Sequence, residues 1–560
     1  MATLQQPTSS PTETVKPWLQ RHVHSAAIAF TLLGFLVRLW TASGTFLNPD
    51  EALHFRLANQ ASLLLAYKRS LAEAHPPLLT FVLYFWRALG VSELWLRLPL
   101  ILASVVFCWI FYKWLSNAAG HLAGIIGLIF VALLPPIVLL SAEVREYPLL
   151  LLFLASSLYL LDDAFAKNSS VAMAAFSLCL YLAMLSQYSA FLFAAALGIY
   201  ALLRILAKRT SPALAMVWAT GQLGALALTL FLYKTHIAKL SMAQSGTPRQ
   251  GLMSETYLHR SYLDPAHDNP FVFLAGHSFG IFQYYFGQLA VGDSMGLAFL
   301  VGVALLLRGT GFSQDRNSRR RLGILLLLPF AIACAASLAH VYPYGGTRQV
   351  AFLIIPAVAG VSIAIARLAA EKYSRAIPIA AVVLIACIAF GKPRPPRMDR
   401  ADQSSAHIAD AIQFIEKNVA PSDLIFTDFQ SDLILGHYLC RQRLISVSPA
   451  PEDLEQFSCA GHRIVSTQEQ QWIFSADNFI QEWQHFEQSY NPKPGTTVWI
   501  IQAGWGVSLP EDLRSHFAEF RDLHSDSFGN NIKIFKLTAG QPMPAAVSPS
   551  DQIQNRRTEK

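Results

Sequence analysis

Eleven apolar stretches follow one another between residues 22 and 391, and each is near the length that crosses about 30 Å of hydrocarbon. Backbone groups inside a bilayer have no water to bond, so such stretches must form helices. The chain is 53% hydrophobic and 14% charged. The sequence therefore predicts a polytopic α-helical membrane protein. The predicted spans are residues 22–41, 95–113, 121–141, 147–162, 171–186, 189–206, 213–232, 293–307, 322–340, 349–366 and 376–391.

One further apolar segment, Leu78–Leu89, has only about 12 to 14 residues after Pro76 and Pro77, which is too few to cross. We interpret it as a helix that lies in the membrane interface, and Phe279–Gln288 as a second one. With Leu78–Leu89 left out, the basic loops all fall on one side, which the positive-inside rule assigns to the cytoplasm. The basic residues behind the net charge of +7 therefore reflect the membrane topology, and they give no indication of nucleic acid binding.

The composition changes near residue 392, where charged and polar residues become distributed as in a soluble protein. We predict a disordered cytoplasmic tail at 1–21, a transmembrane core at 22–391, a soluble extracytoplasmic α/β domain at 392–540 and a disordered tail at 541–560. Within the soluble domain the patterns predict helices at 407–419 and 432–438, and strands at 423–428 and 497–502. The predicted location is the inner cell membrane.

Polar residues that could carry chemistry fall on the predicted outer side. The run NPDEALHF at 48–55 places two carboxylates and a histidine just beyond the first span, where such groups are costly unless they bind or react. Other readings stay open, because the carboxylates could cap a helix, the arginines could snorkel at span ends and the histidines could be ordinary interfacial residues. The candidates are Asp50, Glu51, His54, His75, Glu143, Arg145, Tyr147, Tyr344 and Arg348.

An ordered set of motifs resembles the protein O-mannosyltransferase and aminoarabinose-transferase superfamily. These are polytopic GT-C glycosyltransferases, and the chain looks closest to the bacterial group that glycosylates lipopolysaccharide cores and other envelope acceptors. The match covers roughly residues 22–391. Its parts are DE at 50–51, HPPL at 75–78, SELWLRLPLILA at 92–103, EVREY at 143–147 and a late arginine at 348.

The resemblance implies an inverting transfer of a sugar from a polyprenyl-phosphate carrier to an envelope lipid, glycan or protein. A lipid phosphate is already a good leaving group, so the enzyme must supply a base and positive charge. By this match Asp50 is the base and Glu51 orients it or binds the acceptor, while Arg145 and Arg348 bind the phosphate. His54 and His75 would bond the sugar or phosphate, or hold a divalent cation.

Two departures from the family patterns mean that the identity of the acceptor cannot be carried over from the family. Leu79 and Thr80 follow HPPL where the protein mannosyltransferases have a Gly-Lys pair, and Glu146 or Tyr147 stands where the aminoarabinose enzymes have a further aspartate. A transporter or flippase of lipid-linked saccharides, or a non-catalytic partner of a transferase, stays an alternative. The charges crowd at span ends and no internal repeat is evident, whereas transporters often have repeats and mid-span polar residues.

Two of the six cysteines, Cys440 and Cys459, lie in the predicted outer domain. A disulfide between them is plausible in an oxidising compartment, although spacing does not prove pairing. The long loop at 233–292 could be a lid or a simple connector, and we assign it no role.

Overall fold

The computed structural model describes residues 22–71, 75–207, 210–238, 258–309, 316–370, 372–390, 402–440, 454–467 and 476–541. Both predicted disordered tails lie almost entirely outside these residues. The chain divides into two compact units. The helical unit contains the chain up to residue 42 and residues 63–394, and the sheet unit contains residues 43–62 and the chain from residue 395 onward.

Each of the eleven predicted spans corresponds to a helix or to a pair of helices in the structure. In the first half of the chain the helices are α1 (Val23–Ala42), α2 (Pro49–Ala58), α3 (Leu63–Ser70), α4 (Leu78–Trp86), α5 (Glu93–Ala119), α6 (His121–Leu133), α7 (Pro135–Ser141), α8 (Tyr147–Lys167), α9 (Ser170–Ser186), α10 (Ala190–Ala207) and α11 (Pro212–Leu232). They are followed by α12 (Pro270–Phe286), α13 (Ala290–Arg308), α14 (Arg316–Leu338), α15 (Ile354–Leu368) and α16 (Tyr373–Phe390).

In the described part of the chain, nine helices are long and apolar enough to cross a membrane, and the bent pair of α6 and α7 gives a tenth candidate. Helix α9 is also apolar, with 17 residues. Large apolar side chains on the outer helices are exposed, among them Leu36 and Trp40 on α1 and Val382 on α16. Such exposure is costly in water and favourable in lipid. The chain is an integral multi-pass membrane protein.

The centre of the helical unit is the segment that contains α15, whose apolar window is 94% buried. It packs against α13 through glycines. A Cβ atom at Gly302 would collide with the Gly360 carbonyl oxygen, and one at Gly360 would collide with the Phe299 ring. Small residues at a helix crossing allow the backbones to approach closely, which is how helices gain packing energy in lipid.

Both segments that were predicted to form interfacial helices are helical, and their location in the membrane interface stays a prediction. Helix α4 has nine residues and is therefore too short to cross a membrane, as its length in the sequence indicated. Helix α12 contains most of the segment Phe279–Gln288 but begins nine residues earlier, at Pro270, after an Asn269 N-cap.

A proline pair breaks the third span, where α6 and α7 meet at an angle of 60°. Pro135 and Pro136 have no N–H, so the carbonyls four residues earlier, Val131 and Ala132, have no donor within the helix. The buried guanidinium of Arg38 supplies both bonds, with Nη2 donating to the Val131 oxygen at 2.9 Å and Nη1 donating to the Ala132 oxygen at 2.6 Å. Arg38 therefore supplies the hydrogen bonds that the two carbonyl groups lack at the proline break.

A hydrogen-bond chain continues from Arg38 to the far end of α7. Arg38 Nε donates to Ser104 Oγ at 2.9 Å, Ser104 Oγ donates to Ser141 Oγ at 2.8 Å, and Ser141 Oγ donates to the Ile137 carbonyl at 2.6 Å. All four residues are buried. Because Ser141 is the last residue of α7, the chain fixes the start of the loop that carries EVREY.

The sheet unit is an α/β fold built on one six-stranded sheet, whose strands lie in the order β2 (454–459), β3 (462–467), β1 (424–427), β4 (497–503), β6 (532–538) and β5 (525–527). Strand β1 lies parallel to both β3 and β4, whereas β2, β5 and β6 are antiparallel to their neighbours. Its elements after residue 402 are α17 (Ser405–Asn418), β1 (Leu424–Thr427), α18 (Phe429–Tyr438), β2 (Leu454–Cys459), β3 (His462–Thr467), α19 (Ala476–Tyr490), β4 (Thr497–Ala503), α20 (Leu509–His516), β5 (Ser525–Ser527) and β6 (Ile532–Thr538).

Alternate residues of β1 enter two different cores. Phe426 packs with Phe479 and Trp483 of α19 on one face of the sheet, and Ile425 packs with residues of α17 and α18 on the other. Helices therefore cover both faces, which explains why every residue of β1 is buried. The four elements predicted in this domain are all present, each within a few residues of its predicted bounds.

Residues 43–62 belong to the sheet unit, a grouping that the sequence did not indicate. The Phe46 N–H donates to the Gln403 carbonyl at 2.9 Å, and the Ser405 N–H donates to the Gly44 carbonyl at 3.0 Å. The Phe46 side chain is fully buried in the core that contains α17 and α18. Helix α2 is thus held by a domain that follows it by more than three hundred residues.

Cys440 and Cys459, whose pairing the sequence left open, form a disulfide. It joins the segment after α18 to the end of β2 across a sequence separation of 19 residues. A bridge that closes a loop of this size stabilises the folded state by about 3 kcal/mol in the chain-entropy estimate.

Candidate active site

Helix α2 carries Asp50 and Glu51 in its first turn, after an Asn48 N-cap and a proline at the first helical position. The Asn48 side-chain oxygen accepts a hydrogen bond from the Glu51 N–H at 3.0 Å. A Glu51 carboxylate oxygen in turn accepts one from the Asn48 N–H at 3.0 Å. This is a capping box. Glu51 therefore has the capping role that the sequence left open, and Asp50 is outside the box.

All ten residues of α2 are buried, although four of them are ionisable. Asp50 is 7% exposed, Glu51 is fully buried, and His54 and Arg56 are each less than 10% exposed. Charged side chains are rarely buried in this way unless they are paired or have a function. The concentration of titratable groups on one short buried helix makes α2 a functional-site candidate.

A carboxylate of α18 pairs with this helix within the sheet unit, and a second carboxylate caps the start of α18; the sequence alone indicates a role for neither. Arg56 Nη1 lies 2.7 Å from Asp432 Oδ2 in a buried ion pair. Asp428 is the N-cap of α18 and accepts bonds from the Ser431 N–H and hydroxyl. Burial raises the pKa of Asp428 to about 6. Its position directly after the parallel strand β1 is the signal that could have found it, because functional groups gather at the carboxyl ends of such strands.

A second group of buried ionisable residues lies in the helical unit, in the loop between α7 and α8. Glu146 is fully buried and Arg145 is 3% exposed. His75 Nδ1 lies 3.4 Å from Glu146 Oε1, and Arg145 Nε lies 4.0 Å from Glu146 Oε2. The Arg145 guanidinium also lies 5.7 Å from the centre of the Tyr147 ring. Glu143 is half-buried in the same loop.

This group brings together HPPL and EVREY, two motifs that are about seventy residues apart. Glu146 links them, because its carboxylate lies between the His75 imidazole and the Arg145 guanidinium. An imidazole nitrogen and a carboxylate oxygen are also ligand types for divalent cations. The divalent cation stays a prediction.

Arg348 begins a 3₁₀ turn, Arg348–Leu353, that leads into α15. The turn is tied to the preceding loop, since the Tyr342 hydroxyl donates to the Gln349 carbonyl at 3.0 Å. The same hydroxyl accepts a bond from Gln187 Nε2 at 3.2 Å. Burial raises the pKa of Tyr342, and the negative charge of Glu146 adds to this rise. Tyr342 is therefore neutral and can serve as a hydrogen-bond donor.

Tyr344 has a different environment from the other predicted site residues of the helical unit. Its hydroxyl lies 2.7 Å from Ser278 Oγ, and burial raises its pKa to about 12. It lines a mainly apolar cavity of about 480 Å³ whose walls include Phe282, Phe299 and Phe330.

The amino-acid sequence matches a known family over part of its length. Residues 74–233 match the family described as dolichyl-phosphate-mannose-protein mannosyltransferase. No curated protein matches the chain. The fold is similar to that of ArnT from Cupriavidus metallidurans bound to undecaprenyl phosphate, with a TM-score of 0.51 and 14% identity, over 92% of this chain and 99% of that one. The chain has the GT-C fold.

The GT-C fold confirms the resemblance drawn from the motifs, and the predicted fold class with it. The oligosaccharyltransferase AglB from Archaeoglobus fulgidus, in complex with an inhibitory peptide and a dolichol-phosphate, is also similar at 12% identity. That match covers 86% of this chain and 70% of AglB, with a TM-score of 0.48.

The segment that matches the family, residues 74–233, contains four of the nine predicted site residues: His75, Glu143, Arg145 and Tyr147. The other five lie outside it. Asp50, Glu51 and His54 belong to the sheet unit, and Tyr344 and Arg348 belong to the helical unit. The roles assigned to all nine stay predictions.

Proposed function

We propose that this protein is a membrane glycosyltransferase that moves a sugar from a polyprenyl-phosphate donor to an acceptor in the cell envelope. The observation that carries the proposal is the group formed by the half-buried His75 and the buried Arg145 and Glu146, which lies inside the segment that matches a mannosyltransferase family. A buried guanidinium keeps its charge and can bind phosphate oxygens in a two-pronged arrangement. The ArnT structure with undecaprenyl phosphate supports a lipid-phosphate donor.

In this proposal Asp50 is the general base that takes the proton from the acceptor hydroxyl. Its neighbour Glu51 is held by the capping box, in which Asp50 takes no part. A carboxylate within hydrogen-bond reach of the acceptor hydroxyl can take its proton as the new bond forms. His54, one turn further along α2, is assigned to sugar or acceptor binding.

Arg145 and Arg348 are assigned to the donor phosphate, with His75 and Glu143 as further polar contacts and Tyr147 packed beneath Arg145. As the bond to the sugar breaks, negative charge grows on the phosphate, and fixed guanidinium groups stabilise that charge. Glu146 orients both His75 and Arg145. The apolar cavity beside Tyr344 suits part of the prenyl chain, so Tyr344 would contact lipid rather than phosphate.

A single displacement by the acceptor inverts the configuration at the anomeric carbon. One base and one cationic group suffice for it, whereas retention would require a protein nucleophile and a second step. The proposal therefore includes inversion, with a hexose-type sugar as the transferred group.

The proposed transfer is tested by deletion of the gene and comparison of lipopolysaccharide, glycolipids and glycoproteins by mass spectrometry. We expect the loss of one sugar modification and accumulation of the corresponding polyprenyl-phosphate sugar. The purified full-length protein should then restore the modification when it is given that donor and the unmodified acceptor. An envelope identical to that of the parent strain would contradict the proposal. Accumulation of donor without any transfer by the purified protein would favour a transporter.

We also propose that the reaction takes place on the outer side of the inner membrane and that the domain after residue 392 is extracytoplasmic. The Cys440–Cys459 disulfide supports this, because such bonds persist in oxidising compartments. A phosphatase reporter fused after Lys560 should be active, since this enzyme folds only outside the cytoplasm, and a β-galactosidase fusion at the same place should be inactive. The reverse pattern would overturn the topology.

A further inference from the structure

A polar cavity of about 270 Å³ lies in the helical unit, far from the EVREY loop. Its lining includes Trp114, Asp162 and Arg204, which are all within six residues of the carboxyl ends of their helices, and Arg321 near the start of α14. Helix α8 connects the EVREY loop to this cavity region and has 21 residues, or about 30 Å at 1.5 Å per residue. The cavity therefore lies at the opposite end of the membrane core.

The carboxylates of this cavity are already neutralised by partners on the protein. Arg204 Nη1 lies 2.5 Å from Asp162 Oδ1, and Trp114 Nε1 donates to Asp162 Oδ2 at 3.1 Å. Asp163 pairs with Lys167 at 2.7 Å. These pairs leave no negative charge in the cavity that still needs a cation.

Arg321 adds a second guanidinium to the cavity lining, besides that of Arg204. Its Nη2 donates to Ser318 Oγ at 2.9 Å, and its charge also acts on Asp162, although the ion-pair partner of Asp162 among the described residues is Arg204. The guanidinium is only partly exposed and shares the cavity with the hydroxyl groups of Tyr159 and Tyr200. The lining therefore offers a cation and several polar groups to an anion.

The position of the cavity indicates which anion would reach it. It opens on the side that carries the basic loops, where anionic lipid headgroups are concentrated in a bacterial or organellar membrane. Basic pockets between spans on this side are known to bind phospholipid headgroups. Aromatic side chains such as Trp114 and Tyr159 favour the same interfacial depth.

We propose that this cavity is a binding site for the phosphate headgroup of an anionic phospholipid, with Arg321 as the phosphate contact. A bound headgroup would join α14 to the ends of α5, α8 and α10, and would stabilise the core on the side opposite to the proposed transfer reaction. The proposal stands apart from the proposed function, because it requires no sugar donor and no catalytic residue.

The test uses the purified full-length protein with Arg321→Gln and a matched control, Arg320→Gln. Arg320 carries the same charge one residue earlier on α14, is exposed, donates to the Leu307 carbonyl and does not line the cavity. Melting temperature and native mass spectra are recorded with phosphatidylglycerol, with phosphatidylcholine and with inorganic phosphate. For the native protein we expect selective retention of phosphatidylglycerol and a higher melting temperature with this lipid.

Arg321→Gln should weaken retention of phosphatidylglycerol by about tenfold, as expected for the loss of one charge-assisted contact. Arg320→Gln should retain it at close to the native level. Equal losses in the two variants would indicate non-specific attraction to basic residues and would overturn the proposal. An unchanged Arg321→Gln variant would also overturn it. Equal stabilisation by inorganic phosphate would assign the cavity to a soluble anion and not to a lipid.

Discussion

Replacement of Asp50 by asparagine is expected to lower the rate of sugar transfer by at least about 100-fold, the usual contribution of a general base. The amide has nearly the same shape as the carboxylate but cannot accept a proton. The capping box of α2 does not involve Asp50, so the fold of the sheet unit should remain. The measurement is the turnover of the polyprenyl-phosphate donor by the purified protein, with its melting temperature recorded in parallel.

Two companion variants separate catalysis from structure. Asp410→Asn makes the same chemical change on the exposed face of α17 and should leave turnover unchanged. Glu51→Gln keeps an acceptor for the capping box, since glutamine also occupies this position in such boxes, and should preserve stability. Full turnover by Asp50→Asn would remove Asp50 as the base. A loss of the same size in Asp410→Asn would show that the assay reports folding.

Replacement of Arg38 by leucine is expected to give the largest loss of stability in the helical unit, about 2 to 4 kcal/mol for two buried carbonyls that lose their donors. The carbonyls are those of Val131 and Ala132, which cannot bond within α6 because prolines follow four residues later. The loss should appear as a lower melting temperature of the purified protein in detergent.

The cause can be checked by returning the missing donors to the backbone. In a protein with Arg38→Leu, the further changes Pro135→Ala and Pro136→Ala restore the two N–H groups, so stability should recover in part. Transfer should not recover, because a straightened helix would displace the loop that carries Arg145. A single Arg38→Leu protein as stable as the native one would contradict this account. So would the absence of any recovery in the triple variant.

The membrane helices could be predicted because span length and apolar composition are local properties of the sequence. The length criterion also correctly excluded α4, which has nine residues, from the membrane-spanning helices. The sheet unit was predicted less completely. Strand β2 alternates half-buried and exposed residues at the edge of the sheet, and α19 is amphipathic and mostly polar, so neither has the continuous apolar run that identified β1 and β4.

The candidate site could be predicted where residues stand next to one another in a motif, as in EVREY. Contacts of the site with residues that are distant in the sequence could not be predicted. A single arginine in an apolar span resembles a snorkelling residue, and only the structure joins Arg38 to carbonyls 93 and 94 positions away. Asp432 likewise resembles a surface residue until its contact with Arg56, 376 positions earlier, is known.

The placement of residues 43–62 changes how the C-terminal domain should be regarded. A shortened protein that ended before residue 392 would keep its membrane helices, but Phe46 would lose the core in which it is buried and Arg56 would lose Asp432. The helix that carries Asp50 would then have no support. Inactivity of such a truncated protein would therefore say nothing about acceptor recognition by the missing domain, which serves as the scaffold of the proposed base.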